Sequence, residues 1–178
     1  MSKVVAICQS NYIPWKGYFD MINMADVFVL YDDVQYTKND WRNRNMIKTF
    51  EGPSWLTMPV KYKFRGKDTQ KINETKILDK AWALKHWARI KQVYSKAEFF
   101  SVYNAIFEEM YLNKLQNLEY LSEINQLMIK TICEVLDIKT KIISSAEFQL
   151  TEDRNERLLQ ICHDLDATQY LSGPAAKE

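Results

Sequence analysis

Side chains that could bind or transform a ligand crowd into the first third of the chain, between Ala6 and Val60. This region reads A-I-C-Q-S-N-Y-I-P-W-K-G-Y-F-D near its start and Y-T-K-N-D-W-R-N-R-N-M-I-K further on. Amide, aromatic and guanidinium groups together are the inventory that holds a polar, partly planar, anionic ligand. We therefore expect the functional site to begin here.

Two stretches of this region are expected to bind the ligand. In the first, Pro14 can open a helix whose free backbone N–H groups favour a phosphate or carboxylate. In the second, Arg42 and Arg44 can grip a phosphate with paired hydrogen bonds, and Trp41 can stack on a planar ring. The predicted substrate- or nucleotide-binding residues are Gln9, Asn11, Tyr12, Trp15, Trp41, Arg42, Asn43, Arg44, Asn45, Lys48, Ser144 and Ser172. The alternative is that the first stretch only caps a helix and fills a turn, and that the second is a charged loop without a ligand.

Catalysis would need a group that accepts a proton, and three residues qualify. Asp32 and Asp33 follow a short apolar run, where either can deprotonate an amine or alcohol, or both can hold Mg²⁺ beside a phosphate. His86 can act as a general base near neutral pH. The alternatives are a solvated Asp-Asp turn and a histidine on a helix surface. The cysteines and histidines match no zinc spacing, so we predict no metal site built from them.

Length and composition narrow the class of protein. With 178 residues and 47% hydrophobic side chains, the chain can bury the core of a single domain. A net charge of +1 argues against a dedicated nucleic-acid or membrane-surface binder. No run approaches the roughly 20 apolar residues that cross a bilayer, and the three widely spaced cysteines fit reduced thiols. We expect a cytoplasmic protein without a membrane span.

The elements that must position these residues follow from the apolar pattern. Short apolar runs predict strands at Val4–Cys8, 27–31, Trp55–Val60, Lys141–Ser144 and Gln169–Leu171. Helices are predicted from Pro14 to about Ala25, from Lys80, over Phe99–Tyr111, over about Leu115–Leu136 and after Asp153. Residues 34–53 read as an irregular loop. The sum is a single α/β domain over residues 1–178, with a mainly parallel sheet flanked by helices and a helix-rich middle at 80–137. Because ligands bind beyond the carboxyl ends of parallel strands, we expect the segments after the strands to meet there.

Several motifs resemble the WbqC-like protein family. They read Q-S-N-Y-I-P-W-K-G-Y-F-D, then D-V-F-V-L-Y-D-D-V-Q-Y-T-K-N-D-W-R-N-R-N-M-I-K, W-L-T-M-P-V, H-W-A-R-I-K-Q-V-Y and Y-L-S-G-P-A-A-K. The resemblance covers essentially the whole chain. The chain differs in having Cys8 where the family usually has His and Ser10 where it usually has Pro. Members also usually continue beyond the last motif, so we expect a C-terminal part of the family to be absent here.

The resemblance implies a role in bacterial O-antigen, lipopolysaccharide and surface-polysaccharide biosynthesis. The implied reaction is N-acyl or aminoacyl transfer to the amine of a nucleotide-linked amino-dideoxy sugar. Arg42 and Arg44 would then take the pyrophosphate, and Asp33 or His86 the amine proton. A nucleotidylyltransferase-like (Rossmann-type) layout would instead allow an ATP-dependent nucleotidylyltransferase or ligase, with ATP and Mg²⁺, that activates a carboxylate. A third alternative is a non-catalytic sugar-nucleotide binding protein.

Overall fold

The computed structural model describes residues 2–63 and 70–173, without the side chains at positions 154 and 155. In chain order its helices and strands are β1 (Val4–Cys8), α1 (Lys16–Asn23), β2 (Val27–Leu30), β3 (Arg44–Thr49), β4 (Gly52–Thr57), β5 (Val60–Lys61), β6 (Lys76–Ile77), α2 (Trp82–Tyr94), α3 (Phe100–Glu109), α4 (Leu121–Val135), β7 (Lys141–Ser144), α5 (Arg154–Asp164) and β8 (Gln169–Leu171). They form two compact units. The sheet unit is Met1–Ser10, Pro14–Val34 and Ile129–Glu178, and the hairpin unit is Asn11–Ile13 and Gln35–Met128.

The sheet unit is built on a four-stranded sheet with the order β7-β2-β1-β8. Every neighbouring pair is parallel. The predicted α/β class with a parallel sheet is therefore confirmed. The strands at Val4–Cys8, Lys141–Ser144 and Gln169–Leu171 lie where the apolar runs predict them. The two central strands, β1 and β2, are strongly apolar because the middle of a parallel sheet is covered on both faces.

Helices cover both faces of this sheet. On one face, α1 and the end of α4 pack against alternate strand residues, in a cluster that includes Ala6, Tyr18, Phe19, Ile22, Phe28, Leu30, Ile129 and Cys133. On the other face, Ile161 of α5 packs among residues that include Val5, Ile7, Val27, Val29 and Ile143. Successive strand residues point to opposite faces, so one apolar run supplies both layers.

The hairpin unit is organised around two small antiparallel pairs and three helices. β3 pairs with β4, and β5 pairs with β6. α2, α3 and the first part of α4 also belong to this unit. Gly52 begins β4 with a φ of +117°, a conformation that L side chains rarely adopt. This glycine lets the chain turn back from β3 into β4.

Four predictions about the elements are wrong in part. The strand expected over Trp55–Val60 is split between β4 and β5, and the helix expected from about Leu115 begins at Leu121. Residues 34–53 are not wholly irregular, because β3 spans Arg44–Thr49 and β4 begins at Gly52. A two-stranded antiparallel ribbon can leave one face to solvent, so its strands carry polar residues and lack the continuous apolar run of a buried strand. The first helix begins at Lys16 rather than Pro14, because Trp15 is extended with φ −68° and ψ 161°.

Among the described residues, no helix is long and apolar enough to cross a membrane.

Candidate functional site

The polar residues that follow the parallel strands meet at one edge of the sheet unit. Gln9 follows β1, Asp32 lies just beyond β2, Ser144 ends β7, and Ser172 follows β8. Because all four strands are parallel, their carboxyl ends share this edge. The structure thus brings together the predicted site residues of this unit, as the parallel strand direction requires.

The order of the strands reverses at β1, which gives this edge a preferred place for a ligand. β2 lies on one side of β1 and β8 on the other, while α1 and α5 cover opposite faces of the sheet. Such a topological switch point opens a crevice beyond the strand ends in open α/β sheets. Gln9 and Ser172 follow the two strands on either side of it. The Gln9 carbonyl is fixed there by accepting a hydrogen bond of 3.0 Å from Tyr18 Oη.

Asp32 and Asp33 occupy different environments although they are adjacent in sequence. Asp32 is 1% exposed, and its Oδ1 atom accepts the Ser10 backbone N–H at 2.9 Å. It therefore ties together the chain segments after β1 and β2. Asp33 is only half-buried, and its Oδ2 atom accepts the Ser145 hydroxyl. A carboxylate that is both oriented by a hydroxyl and reachable from solvent has the geometry of a proton acceptor, so Asp33 is the better placed of the pair.

Ser144 serves the local fold at the end of β7. Its hydroxyl accepts the Ala146 N–H at 3.2 Å, and its own N–H donates to Glu147 Oε1 at 3.0 Å. This reciprocal capping box opens a short 3₁₀ turn at Ser145–Glu147. The capping bonds place the Ser145 hydroxyl next to Asp33. The predicted binding role of Ser144 stays a prediction.

Trp15 lies at the start of α1 and partly covers it. Its ring is 57% exposed and meets Tyr18 edge-on at a centroid distance of 5.6 Å. A Cβ atom at Gly17 would lie 2.8 Å from Trp15 Nε1, so glycine allows the indole to approach the helix. Within the described part of the chain, no side chain caps this helix start. Trp15 and Gly17 also line a surface cleft of about 600 Å³ that runs beside α1 toward Leu136 and Ile138.

In the hairpin unit, Tyr12, His86 and Tyr111 form a buried hydrogen-bonded chain. Tyr12 Oη lies 2.7 Å from His86 Nδ1 and 2.8 Å from Tyr111 Oη. His86 Nε2 lies 3.2 Å from the Thr57 carbonyl. A carbonyl only accepts, so Nε2 carries the proton of the neutral imidazole and Nδ1 accepts from Tyr12. The Tyr12 oxygen can then accept the Tyr111 hydroxyl, which gives every bond one donor and one acceptor.

Burial keeps these three hydrogen-bonded side chains uncharged. Tyr12 is 0% exposed, Tyr111 1% and His86 7%. Burial lowers the pKa of His86 from 6.5 to about 4, against a smaller opposing effect of its bond to the Thr57 carbonyl. Burial also raises the pKa of Tyr12 well above its usual value and raises that of Tyr111. A ligand cannot stack on a fully buried ring, and the His86 lone pair already has a donor, so the geometry favours structural roles for Tyr12 and His86.

The predicted amide side chains of this unit mostly hold its own backbone. Asn43 donates to the Met58 carbonyl at 2.8 Å and accepts the Tyr36 hydroxyl at 3.0 Å. Asn45 donates to the Tyr12 carbonyl at 3.3 Å and to the Ile13 carbonyl. Ile13 has a φ of 45°, which is rare for a β-branched residue. Asn45 therefore fixes an unusual backbone, and the functional roles of both amides stay predictions.

The guanidinium groups of the two predicted arginines make different contacts within the fold. Arg42 donates to Asn11 Oδ1 and pairs with Asp40 at 3.7 Å. The Arg42 carbonyl accepts the Asn125 side-chain amide at 2.8 Å. The Asn11 side-chain oxygen is therefore bonded to Arg42, another residue of the same unit. These bonds hold Arg42 within the fold, where its side chain is 14% exposed.

Arg44 stacks on a tryptophan that the sequence interpretation missed. Its Cζ atom lies 4.1 Å from the centre of the Trp55 ring, and Nη2 donates to the Asn39 carbonyl at 2.5 Å. Trp55 also lies 5.5 Å from Trp41, with the rings inclined by 40°. Trp41 and Trp55 are 43% and 44% exposed. No local sequence signal marks Trp55, because its place beside Arg44 follows from the antiparallel register of the hairpin.

Lys48 lies further along the same strand as Arg44. Its side chain is exposed, and its backbone N–H donates to Tyr94 Oη at 3.0 Å. Within residues 2–63 and 70–173, no group of three or more histidine, cysteine or acidic side chains is placed to hold a metal ion.

Comparison with known proteins gives a family match over nearly the whole chain. A family model described as the WbqC-like protein family matches residues 9–178. The chain is also 45% identical over 175 residues to a Mycobacterium tuberculosis (strain ATCC 25618 / H37Rv) protein named Uncharacterized protein Rv1507c, a match that covers 98% of this chain and 74% of that protein. No solved structure matches the chain. The nucleotidylyltransferase-like layout therefore stays a prediction.

Proposed function

Because the chain belongs to the WbqC-like protein family, we propose that it is a cytoplasmic transferase of bacterial O-antigen or surface-polysaccharide biosynthesis. It attaches an N-acyl or aminoacyl group to the amine of a nucleotide-linked amino-dideoxy sugar. The observation that supports this proposal best is the polar carboxyl edge of the sheet unit, with a proton acceptor beside a topological switch point. Gln9 and Ser172 flank that point and are the proposed ligand contacts.

Asp33 is the proposed general base. The neutral amine of the sugar attacks the carbonyl carbon of an activated acyl donor, a C–N bond forms, and the amine proton passes to the Asp33 carboxylate. The bond between the acyl carbon and the leaving group then breaks, and the leaving group keeps the electron pair and takes up a proton. The Ser145 hydroxyl orients the carboxylate throughout. Positioned proton transfer of this kind contributes about 10²–10⁴-fold to rate.

The first experiment asks which ligands the protein binds and whether an amide forms. Thermal shifts would be measured with UDP- and dTDP-linked 4-amino sugars, with acyl-CoA donors, and with ATP plus Mg²⁺. Mass spectrometry would then identify any amide product. Formation of an N-acylated sugar nucleotide supports the proposal. Release of pyrophosphate from ATP with Mg²⁺ would support the ligase alternative, and ligand binding without any product would support a binding protein.

A matched pair of variants tests the role of Asp33. Asp33→Asn keeps the size of the side chain but removes the proton acceptor, so we expect product formation to fall by at least about 100-fold. Asp20→Asn makes the same chemical change at an exposed position of α1 and should leave turnover unchanged. Full turnover by Asp33→Asn would show that another group takes the proton.

A further inference from the structure

The β3–β4 hairpin presents one outward face that combines aromatic and cationic side chains. In the antiparallel register, Arg44, Met46 and Lys48 lie opposite Thr57, Trp55 and Pro53 respectively. Side chains alternate between the faces of a strand, so these six share one face, while Ile47 and Leu56 are buried on the other. Met46 and Trp55 are 45% and 44% exposed. We call this set, with the neighbouring Trp41, the hairpin face.

Arg44 and Trp55 are already arranged as a stacked pair. The guanidinium carbon lies 4.1 Å from the Trp55 ring centre, and the Asn39 carbonyl holds Nη2. Arg44 Nε is covered and has no hydrogen-bond partner among the described residues. The stacking and the Nη2 bond hold the plane of the guanidinium before any ligand binds, which lowers the ordering cost of binding. Trp41 leans against Trp55 at 5.5 Å and extends the aromatic surface.

We propose that the hairpin face binds a nucleoside diphosphate, stacking its base on Trp41 and Trp55 and holding its phosphates with Arg44 and Lys48. This inference rests on the proposed function for the choice of ligand, because the nucleotide part of a nucleotide-linked sugar has this chemistry. Aromatic rings stack on any base, and guanidinium and ammonium groups complement a diphosphate. The six side chains of the two strands include two cations and no acid.

The charge of the whole chain favours a small ligand over a nucleic acid. The net charge is +1, whereas proteins that bind nucleic acids carry an extended basic surface. Arg42, the nearest further arginine in sequence, is paired with Asp40. Two cations match the two negative charges of the diphosphate in a nucleotide-linked sugar. Trp41 and Trp55 would then stack on the single base of this ligand rather than on successive bases of a polynucleotide.

The indole N–H signals of the five tryptophans test this inference in one NMR titration. With UDP as the probe, we expect the signals of Trp41 and Trp55 to shift in a saturable manner. Trp82 and Trp87 are 2% and 4% exposed, so their signals serve as internal references for an intact fold. Uridine should bind more weakly than UDP, and inorganic phosphate alone should not shift Trp41. Shifts confined to Trp15, or an oligonucleotide that binds more tightly than UDP, would overturn the proposal.

Variants of the same hairpin give the quantitative test. We expect Trp55→Ala to weaken UDP binding by about 5- to 100-fold. Arg44→Lys keeps the positive charge but loses the planar guanidinium, and it should weaken UDP binding less than Trp55→Ala does. Phe50→Ala removes a fully exposed aromatic ring from the turn of this hairpin and should leave the affinity unchanged. Unchanged affinity in Trp55→Ala would exclude the hairpin face as the binding surface.

The two proposals fail in different ways. If Trp55→Ala keeps its UDP affinity while Asp33-dependent amide formation is observed, the hairpin face is excluded and the transferase proposal stands. If UDP shifts Trp41 and Trp55 but no acyl donor gives a product, the hairpin face stands and the transferase proposal fails.

Discussion

The sheet unit and the hairpin unit use their polar residues in opposite ways. At the carboxyl edge of the sheet, Asp33 is half-buried and reachable, and its Oδ2 atom accepts the Ser145 hydroxyl. In the hairpin unit, Tyr12 and His86 are buried, and their polar atoms bond to one another and to the backbone. Residue type alone does not separate the two cases. What separates the two cases is burial, because Asp33 is reachable from solvent whereas Tyr12 and His86 are enclosed together with their hydrogen-bond partners.

The largest expected effect is loss of the His86 ring. His86→Ala removes a buried side chain and leaves the Tyr12 hydroxyl without its acceptor, so we expect the free energy of unfolding to fall by about 4 kcal/mol. Urea denaturation followed by circular dichroism measures this change. His163→Ala, at the exposed histidine of α5, is the matched control and should change it by less than about 0.5 kcal/mol. A small effect of His86→Ala would break the comparison, because His86 would then be free for chemistry.

The pH dependence of stability sharpens the same contrast. The folded state holds the His86 pKa at about 4 against 6.5 when unfolded, so the unfolded state binds more protons between these values. Stability should therefore decline as pH falls from 6.5 to 4, by about 3 kcal/mol from this residue. His86→Gln can keep a donor and an acceptor but does not titrate. The difference in unfolding free energy between the unaltered protein and His86→Gln should change between pH 6.5 and pH 4. A constant difference would contradict the lowered pKa of His86.

Two tyrosine variants test the direction of the hydrogen bonds. Tyr12→Phe leaves His86 Nδ1 without a donor and the Tyr111 hydroxyl without an acceptor, so it should cost about 2–3 kcal/mol. Tyr111→Phe removes only a donor to the Tyr12 oxygen and should cost about 1 kcal/mol. Both are measured by chemical denaturation at neutral pH. Equal costs would mean that the donor order derived from the Thr57 carbonyl is wrong.

The smallest effect is expected at the sheet edge. Ser145→Ala removes the hydroxyl that Asp33 accepts, but water can reach this half-buried carboxylate, so we expect a loss of about 1 kcal/mol or less. We also expect the rate of product formation in the transferase assay to fall, because the Asp33 carboxylate loses its orientation. A stability loss above about 3 kcal/mol would instead make this edge a structural network like that of the hairpin unit.

The amides show which contacts of the candidate site the sequence could not reveal. Asn43 and Asn45 lie next to the arginines and look like ligand contacts, yet they donate to the Met58 and Tyr12 carbonyls. Nothing local indicates these partners. Trp55 was missed for the related reason that its neighbour Arg44 lies 11 positions earlier, on the paired strand.

By itself, the sequence determined the parallel sheet and the meeting of Gln9, Asp32, Ser144 and Ser172 at its edge. Apolar runs record the burial of a local segment, and parallel strands place their carboxyl ends together. Only the tertiary structure decided which polar groups are already satisfied. Tyr12 bonds to His86 and Tyr111, which lie 74 and 99 positions away. A buried polar group takes whichever partner the packing brings to it, and periodicity along the chain carries no record of that distant partner.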